Sequence, residues 1–442
     1  MLLKKFFRFS IPSILSMWIF ALYTMVDGLF VSRGVGEYAL AAVNLSMPYT
    51  IFIFSAGLLM AIGSSTVISI FLGEGKKEKA LQVFNQNLAV LAVIGALISL
   101  FTYLNLDRIA LLLGATDETL DYVKGYLGWI SAFAVFFIIS YNMEVFVKTD
   151  GNPHVQIIGI AACAMVNVVL DYVFVMRLHL GVEGAAIATG IAQVVSTCIF
   201  VCYFKFRGKK LTFARFRPDF SVYKRILPLG MADSITEFSG GLVIFLFNHV
   251  ILRVSGSAGL VSYTVISYVN TLALNCMAGI AQGAQPLISY YYGSGRTDYC
   301  HRLKTYALTT AACAGAVFLA LSELAPQIPV GLFLGDRDAE LIRHSIGALR
   351  LYGISFSMVG LNVVSAGFFT AIERPGFSLT ISSARSFILL SACLITMTAL
   401  FGETGIWLST AVSEGLCLLI TAYFYWRYRT GQISFLYSST NE

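Results

Sequence analysis

The chain has 442 residues, of which 57% are hydrophobic and only 12% are charged. Soluble domains carry roughly 25% charged residues, so much of this chain is not in contact with water. The net charge of +6 does not indicate nucleic-acid binding, because basic residues gather on the cytoplasmic loops of membrane proteins. The eight cysteines form no CxxC pair or His/Cys cluster. We therefore predict no disulfide framework, zinc site or cofactor.

The apolar segments predict an all-α integral membrane protein with twelve transmembrane helices, since about 20 apolar residues cross a bilayer core of about 30 Å. Lys4, Lys5 and Arg8 precede the first segment as in a signal peptide, but the segment is long and contains Asp27, which predicts an uncleaved helix. The predicted helices cover 9–31, 45–72, 88–105, 122–146, 155–176, 183–205, 226–252, 262–290, 305–325, 343–370, 379–400 and 405–427.

The distribution of basic residues predicts the orientation. With the N-terminus inside, 22 of the 30 Lys and Arg residues lie on inside segments and 8 on outside segments. The outside set is Arg33, Arg108, Lys124, Arg177, Arg253, Arg337, Arg343 and Arg350. This bias agrees with the positive-inside rule, so both termini are expected in the cytoplasm of a multi-pass protein in a bacterial-type plasma or inner membrane.

Several short motifs recur at a nearly constant distance, which indicates an internal duplication. Gly73-Glu74-Gly75 recurs as Gly293-Ser294-Gly295, Gly181 as Gly402, and Pro153 as Pro375, at offsets of 220 to 222 residues. Each repeat holds six helices, and an even number returns the chain to its starting side. The repeats are therefore parallel, related by a pseudo-twofold axis along the membrane normal.

The duplication predicts two six-helix lobes, 1–205 and 226–442, joined by a basic cytoplasmic linker at 206–225. Such parallel repeats are common in secondary transporters, which place their substrate site between the halves. We interpret the basic linker as a solvated connector, and contact with anionic lipid is the alternative.

Ionisable side chains inside a bilayer are costly and usually mark a functional cavity. From the helical rise of about 1.5 Å per residue, Asp27 and Asp171 lie roughly 24–27 Å above the cytoplasmic ends of their helices. Asn167 shares a helix face with Asp171, and Thr189 reaches a similar depth from the next helix. These oxygens suit a proton or a hard cation such as Na⁺. The alternative is a hydrogen-bonded polar clamp that binds no ion.

Two further acids, Asp233 and Glu237, lie four residues apart on the seventh predicted helix. Close like charges favour proton sharing, so this pair is a candidate second-lobe cation or substrate site. Alternatively, Asp233 reaches interfacial water and only Glu237 lies within the membrane. Tyr23, one turn before Asp27, is expected to support that carboxylate as a hydrogen-bond donor.

Longer motifs resemble those of the multidrug and toxic compound extrusion (MATE) family, along essentially the whole chain. The motifs are Pro12 followed by Val26-Asp27-Gly28, Asn167-Val168-Val169-Leu170-Asp171 with Thr189 eighteen residues later, and Gln282-Gly283-Ala284-Gln285-Pro286 running into Tyr292-Gly293-Ser294-Gly295. The resemblance implies two lobes around a cleft and a cation site at Asp27, Asn167, Asp171 and Thr189.

The resemblance also implies that the first helix bends at Pro12, where a backbone donor is missing. Glu237 matches an acid that one branch of the family uses for Na⁺. That branch has another acid on its tenth or eleventh helix, whereas 379–400 contains no Asp or Glu. A complete second-lobe Na⁺ site is therefore not expected.

The sequence thus predicts a secondary antiporter that exports organic cations or other amphipathic toxicants in exchange for H⁺ or Na⁺. A flippase for a lipid-linked oligosaccharide is the alternative, but it would need several arginines in the cavity, and the helix interiors here offer mostly acids. A membrane enzyme would need a catalytic cluster, and none is visible among the five histidines. A channel explains the duplication less well.

Overall fold

The computed structural model describes residues 1–335 and 339–430, and within these it leaves the side chains of residues 29, 32, 33 and 37 undescribed. Arg337, counted above on the outer side, and residues 431–442 at the end of the second predicted lobe lie outside the described residues, as does the Arg33 side chain.

The first half contains eight α-helices and ends in a long helix that leads to the linker. They are α1 (Leu2–Gly34), α2 (Glu37–Gly73), α3 (Lys77–Leu104), α4 (Leu106–Leu112), α5 (Leu120–Ala132), α6 (Ala134–Thr149), α7 (His154–Asp171) and α8 (Gly181–Phe206). A π-helix, Tyr172–Arg177, follows α7 directly.

The second half repeats this order. Its helices are α9 (Tyr223–Val254), α10 (Gly256–Gly293), α11 (Thr297–Leu324), α12 (Gln327–Leu334), α13 (Ala339–Gly353), α14 (Phe356–Ala371), α15 (Pro375–Ser383), α16 (Leu389–Phe401) and α17 (Glu403–Arg429). A second π-helix, Ala384–Ile388, joins α15 to α16. We call α1–α8 the first lobe and α9–α17 the second lobe.

The number of membrane spans agrees with the prediction. Among the described residues, ten helical segments are long and apolar enough to cross a membrane, and two bent helix pairs bring the number to twelve. The bent pairs are α5–α6, with an angle of 50°, and α13–α14, with an angle of 42°. The sequence predicted each pair as a single helix, at 122–146 and at 343–370, and it did not predict the short helices α4 and α12.

The backbone repeats the duplication that the sequence predicts. Left-handed backbone conformations occur in pairs about 220 residues apart, at Gly75 and Gly295 and at Gly114 and Gly335. Gly151 has φ +99°, and its counterpart is the non-glycine residue Glu373, with φ +53°. A residue with a side chain is strained at positive φ. Because Glu373 nevertheless adopts a positive φ as Gly151 does, the turn itself is repeated in the second half.

The two lobes touch through glycines at the end of the molecule where α1 begins and α2 and α10 end. A methyl group on Gly63 would overlap the carbonyl oxygen of Ile226, and one on Gly230 would overlap that of Leu59. Gly73 and Gly293 approach the carbonyl oxygens of Tyr290 and Ile70 in the same way. We call these four glycine contacts the interlobe seal and this end of the molecule the linker end.

The chain between α8 and α9 is held against the first lobe. The carboxylate of Asp150 accepts backbone N–H groups of Lys209, Lys210 and Leu211 at 2.6–3.2 Å. Gln86 exchanges two hydrogen bonds of 2.9 Å with the backbone of Asp219. Hydrogen bonds therefore hold the linker against the first lobe near both of its ends. The limits of the linker at 206 and 225 stay a prediction.

Candidate functional site

Four polar residues that the sequence singles out lie together in the first lobe. Asn167 and Asp171 are fully buried on α7, and the Asn167 amide donates to the Thr189 hydroxyl on α8 at 3.2 Å. Asp27 reaches the same place from α1, where its carboxyl group lies within hydrogen-bonding range of the Asp171 carboxyl. The structure thus brings the two acids together from separate helices, at one depth.

Several oxygens of this cluster lack a donor. Oδ1 of Asp27, Oδ1 of Asn167 and both carboxylate oxygens of Asp171 are buried and have no hydrogen-bond partner among the described residues. Two ionised carboxylates cannot bond to each other, because both only accept. A proton on one of them, or a cation between them, would satisfy these atoms, whereas leaving buried acceptors unpaired costs about 1–3 kcal/mol each.

The backbone around Asp171 is irregular. Asp171 is the last residue of α7, and the π-helix Tyr172–Arg177 begins immediately after it. Single π-turns inside helical spans are rare and occur frequently at functional sites. The π-helix packs against α1, where Gly34 approaches the Val175 side chain.

Tyr23 and Pro12 lie on α1, as the sequence requires. Tyr23 is buried close to Asp27 and Glu144, and no described hydrogen bond joins its hydroxyl to Asp27. α1 runs continuously through Pro12. One turn earlier, the Phe9 carbonyl accepts the Ser13 hydroxyl at 3.0 Å, whereas the carbonyl that lacks a helical donor because of Pro12 is that of Arg8.

The acids of α9 face the first lobe. Asp233 is half-buried and Glu237 is exposed, and both lie within electrostatic range of the buried Tyr141 on α6. At the residue next to Asp233, the hydroxyl of Ser234 is hydrogen-bonded to the hydroxyl of Ser55 in the first lobe at 2.8 Å. Asp233 and Glu237 therefore lie along the boundary between the lobes.

A second polar cluster, which the sequence did not predict, crosses the boundary between the lobes. Glu144 and Lys148 are buried on α6, where Glu144 accepts from Gln156 of α7 at 2.7 Å. The Lys148 ammonium donates to the Gln282 side chain of the second lobe at 3.1 Å. The spacing of four residues between Glu144 and Lys148 was the only signal in the sequence, and Gln282 is 134 residues away.

The helices of the second lobe that correspond to α7 and α8 hold an ion pair. Arg385, in the second π-helix, donates to Glu414 of α17 at 3.1 Å, and both side chains are nearly buried. The Asn362 amide donates to the other Glu414 oxygen at 2.8 Å. Because these charges are already paired, this cluster differs from the open set of oxygens in the first lobe.

The described residues contain no group of three or more His, Cys, Asp or Glu side chains arranged to hold a metal ion. The first-lobe cluster has two carboxylates, one amide oxygen and one hydroxyl. Such a set suits a proton or a hard monovalent cation better than a transition metal, which prefers nitrogen and sulfur ligands.

The chain is similar along most of its length to multidrug exporters. It is 27% identical over 425 residues to the multidrug export protein MepA of Staphylococcus saprophyticus, covering 94% of this chain and 92% of that protein. An outward-facing structure of a multidrug resistance MATE family transporter of the MOP superfamily superposes with a TM-score of 0.91 at 22% identity, covering 98% and 96% of the two chains.

A third comparison is with a transporter of the same fold for which a different function is suggested. A MOP superfamily transporter from Pyrococcus furiosus, whose binding pocket of reverse polarity suggests a different function, superposes with a TM-score of 0.89 at 22% identity, covering 98% of this chain and 97% of that one. The MatE family model matches the chain twice, at residues 12–173 and 234–395, one match in each lobe. The chain is a membrane protein of the MatE family of multidrug efflux transporters.

Proposed function

We propose that this protein is a secondary antiporter that exports amphipathic organic cations in exchange for H⁺ or Na⁺ bound between Asp27 and Asp171. The observation that carries the proposal is the set of buried, unpartnered oxygens on Asp27, Asn167 and Asp171. A bound proton or cation supplies the donor or positive charge that these atoms lack. Releasing it leaves two neighbouring carboxylates, which repel each other and favour a change in the position of α1.

Aromatic rings and acids along the boundary between the lobes support a cationic substrate. The Phe54 ring lies 5.8 Å from the Phe20 ring and 4.8 Å from the Tyr141 ring. Tyr141 in turn lies near Glu144, Asp233 and Glu237. Aromatic faces attract desolvated organic cations, and the acids supply the complementary charge. The flippase alternative requires several arginines in the central cavity within the membrane, so the acids at this position favour the exporter.

The interlobe seal supports an alternating-access cycle. The lobes meet closely at the linker end, which also carries most of the basic residues and would therefore face the cytoplasm. In that orientation both termini are cytoplasmic and the structure corresponds to an outward-facing state. Transporters built from repeats commonly move one repeat against the other around a central site.

Transport in everted membrane vesicles tests the proposed exchange. We expect uptake of a fluorescent organic cation to require an imposed H⁺ or Na⁺ gradient and to stop when that gradient is dissipated. Each pH unit supplies about 1.36 kcal/mol to the exchange. Imposing the two gradients separately identifies the coupling ion. Uptake at the same rate without either gradient would contradict antiport.

Locking the lobes together provides a second test. Ser55 and Ser234 belong to different lobes and their hydroxyl oxygens are 2.8 Å apart, so cysteines at both positions, in a background without the eight native cysteines, should form a disulfide. We expect oxidation to stop transport, because the linker end can no longer open, and reduction to restore it.

The matched control for this lock joins residues of one lobe. Ser140 and Ser196 both belong to the first lobe, with hydroxyl oxygens 3.0 Å apart. Oxidation of cysteines at these two positions should leave transport intact. Full activity of the oxidised Ser55→Cys/Ser234→Cys protein would disprove movement between the lobes.

A further inference from the structure

A large cavity at the linker end is lined mainly by basic and aromatic side chains, which make up 11 of its 19 lining residues. Its volume is about 690 Å³, and it lies between the start of α1, the end of α6, the linker and the α10–α11 turn. Both lobes contribute to it. Seven cationic side chains line it, namely Lys4, Lys5, Arg8, Lys148, Lys210, Arg296 and Arg302, together with Tyr290, Tyr291 and Tyr299.

The wall of this cavity provides no carboxylate to its cations. No Asp or Glu is among the described lining residues, and none of the seven cations forms an ion pair with a described carboxylate. The Lys5 ammonium donates to the Tyr291 hydroxyl at 3.3 Å, and the Lys210 ammonium lies 4.7 Å from the centre of the Tyr290 ring. These contacts orient the ammonium groups without cancelling their charge.

The pKa of Lys210 responds to the excess of positive charge in this cavity. Partial burial, together with the nearby Lys5 charge, holds the pKa of Lys210 below its ordinary value, against a smaller opposing effect of Asp150. Asp150 already accepts three backbone N–H groups and the Tyr203 hydroxyl. Glu144 lies beside Lys148 and accepts from Gln156. Neither nearby acid is therefore available to the remaining cations.

The duplication supplies an internal comparison. A second cavity at the linker end, of about 540 Å³, is lined by the corresponding ends of α2, α9 and α14. There Lys76 pairs with Glu74 at 2.8 Å, and Arg225 pairs with Glu373 at 2.6 Å. We call this the paired cavity and the first one the basic cavity.

The two ion-pairing carboxylates of the paired cavity have no counterpart in the basic cavity, and the third acid in its wall, Asp219, belongs to the linker. At the repeat offsets of 220 and 222 residues, Glu74 corresponds to Ser294 and Glu373 corresponds to Gly151. Arg296 corresponds to Lys76, so this cation is kept while its partner is lost. Glu144 lies near Lys148 and Asp150 near Lys210, but seven cations against two acids leave a net repulsion, which points to a ligand that provides the missing negative charge.

We propose that the basic cavity binds a phosphate-bearing anion, either the headgroup of an anionic phospholipid or a soluble phosphate compound. Arginine guanidinium groups bind phosphate through paired hydrogen bonds, and lysines add point charges. The tyrosine hydroxyls Tyr290, Tyr291 and Tyr299 add donors at the wall of the cavity. Because α1 and α11 belong to different lobes, the bound anion holds the linker end closed.

The test measures binding to the purified protein in a zwitterionic detergent. Thermal unfolding is followed while short-chain phosphatidylglycerol, phosphatidylcholine of the same chain length, or inorganic pyrophosphate is added. We expect phosphatidylglycerol to raise the unfolding temperature and phosphatidylcholine to have no such effect, since a ligand that binds only the folded state stabilises it. Stabilisation by pyrophosphate as well identifies a soluble phosphate compound as a sufficient ligand, and stabilisation by phosphatidylglycerol alone identifies the lipid.

Variants place the binding in the basic cavity. Arg296→Gln removes one cation, and Ser294→Glu restores the carboxylate that the paired cavity has, at an exposed position where the first lobe carries Glu74. Each is expected to weaken the apparent affinity about fivefold, as expected for about 1 kcal/mol per charge near an anionic headgroup. Raising the ionic strength should weaken binding in the same direction.

The paired cavity provides the control. Lys76→Gln changes the net charge as Arg296→Gln does, but it removes a cation that is already paired. It should leave the affinity unchanged. The proposal is wrong if no phosphate-bearing probe stabilises the protein selectively, or if Lys76→Gln weakens binding as much as Arg296→Gln and Ser294→Glu do. Binding is measured without transport, so the result does not depend on the proposed antiport.

Discussion

Asp27→Asn and Asp171→Asn are each expected to abolish cation-coupled export while leaving the protein folded and inserted. The two carboxyl groups lie within hydrogen-bonding range of each other, and three of their four oxygens are buried without a partner. Asparagine keeps the shape of the side chain but can neither be protonated nor supply a negative charge for Na⁺. We expect the coupled transport rate in vesicles to fall to the background of membranes without the protein.

The control for this prediction is an acid outside the cluster. Asp107, whose side chain is 69% exposed, pairs with Lys124, so Asp107→Asn should transport normally. The polar-clamp alternative makes the opposite prediction for the cluster, because asparagine would keep most hydrogen bonds of a clamp. Export by both cluster variants at the wild-type rate and with unchanged cation dependence would therefore decide in favour of the clamp.

Replacing Arg385 by methionine is expected to cause the largest loss of stability among single charge removals. The Arg385 and Glu414 side chains are only 10% and 5% exposed, and the bond between them is 3.1 Å. Without Arg385, the Glu414 carboxylate is buried with only the Asn362 amide as a partner. Breaking one side of a buried ion pair costs about 3–5 kcal/mol. Thermal unfolding in detergent should show a correspondingly large decrease.

A double variant separates the lost pair from a general packing defect. Arg385→Met combined with Glu414→Gln removes both charges, and glutamine can still accept from Asn362, so we expect most of the stability to return. Lys124→Met breaks an exposed pair and should change stability by less than about 1 kcal/mol. Equal losses in the single and double Arg385 variants would show that the buried charge is not the cause.

The apolar segments and the repeated glycine motifs were sufficient to predict the twelve spans and the two-lobe fold, because both depend on local composition. The bend between α5 and α6 was not predictable, since its junction at Phe133 carries neither proline nor glycine. The π-helix after Asp171 also has no local sequence signal. Both depend on packing against other helices, which a single sequence does not display.

The meeting of Asp27, Asn167, Asp171 and Thr189 was predictable because helical rise fixes depth within a membrane. Depth does not identify partners across the lobes, so the contact of Lys148 with Gln282 was missed. The pairing of Arg385 with Glu414 was also not predictable, because depth does not identify which helices of one lobe are neighbours.

The interlobe seal constrains how this protein can change during evolution. Its contacts join a glycine Cα to a carbonyl oxygen, so even alanine, the smallest replacement, forces the helices apart at Gly63, Gly73, Gly230 or Gly293. Substitutions that adapt the protein to a new drug are therefore not expected at these four glycines, because any substitution there displaces a helix. Resistance mutations should instead accumulate among the larger side chains at the lobe boundary, such as Phe20, Phe54 and Tyr141, which can change size in small steps.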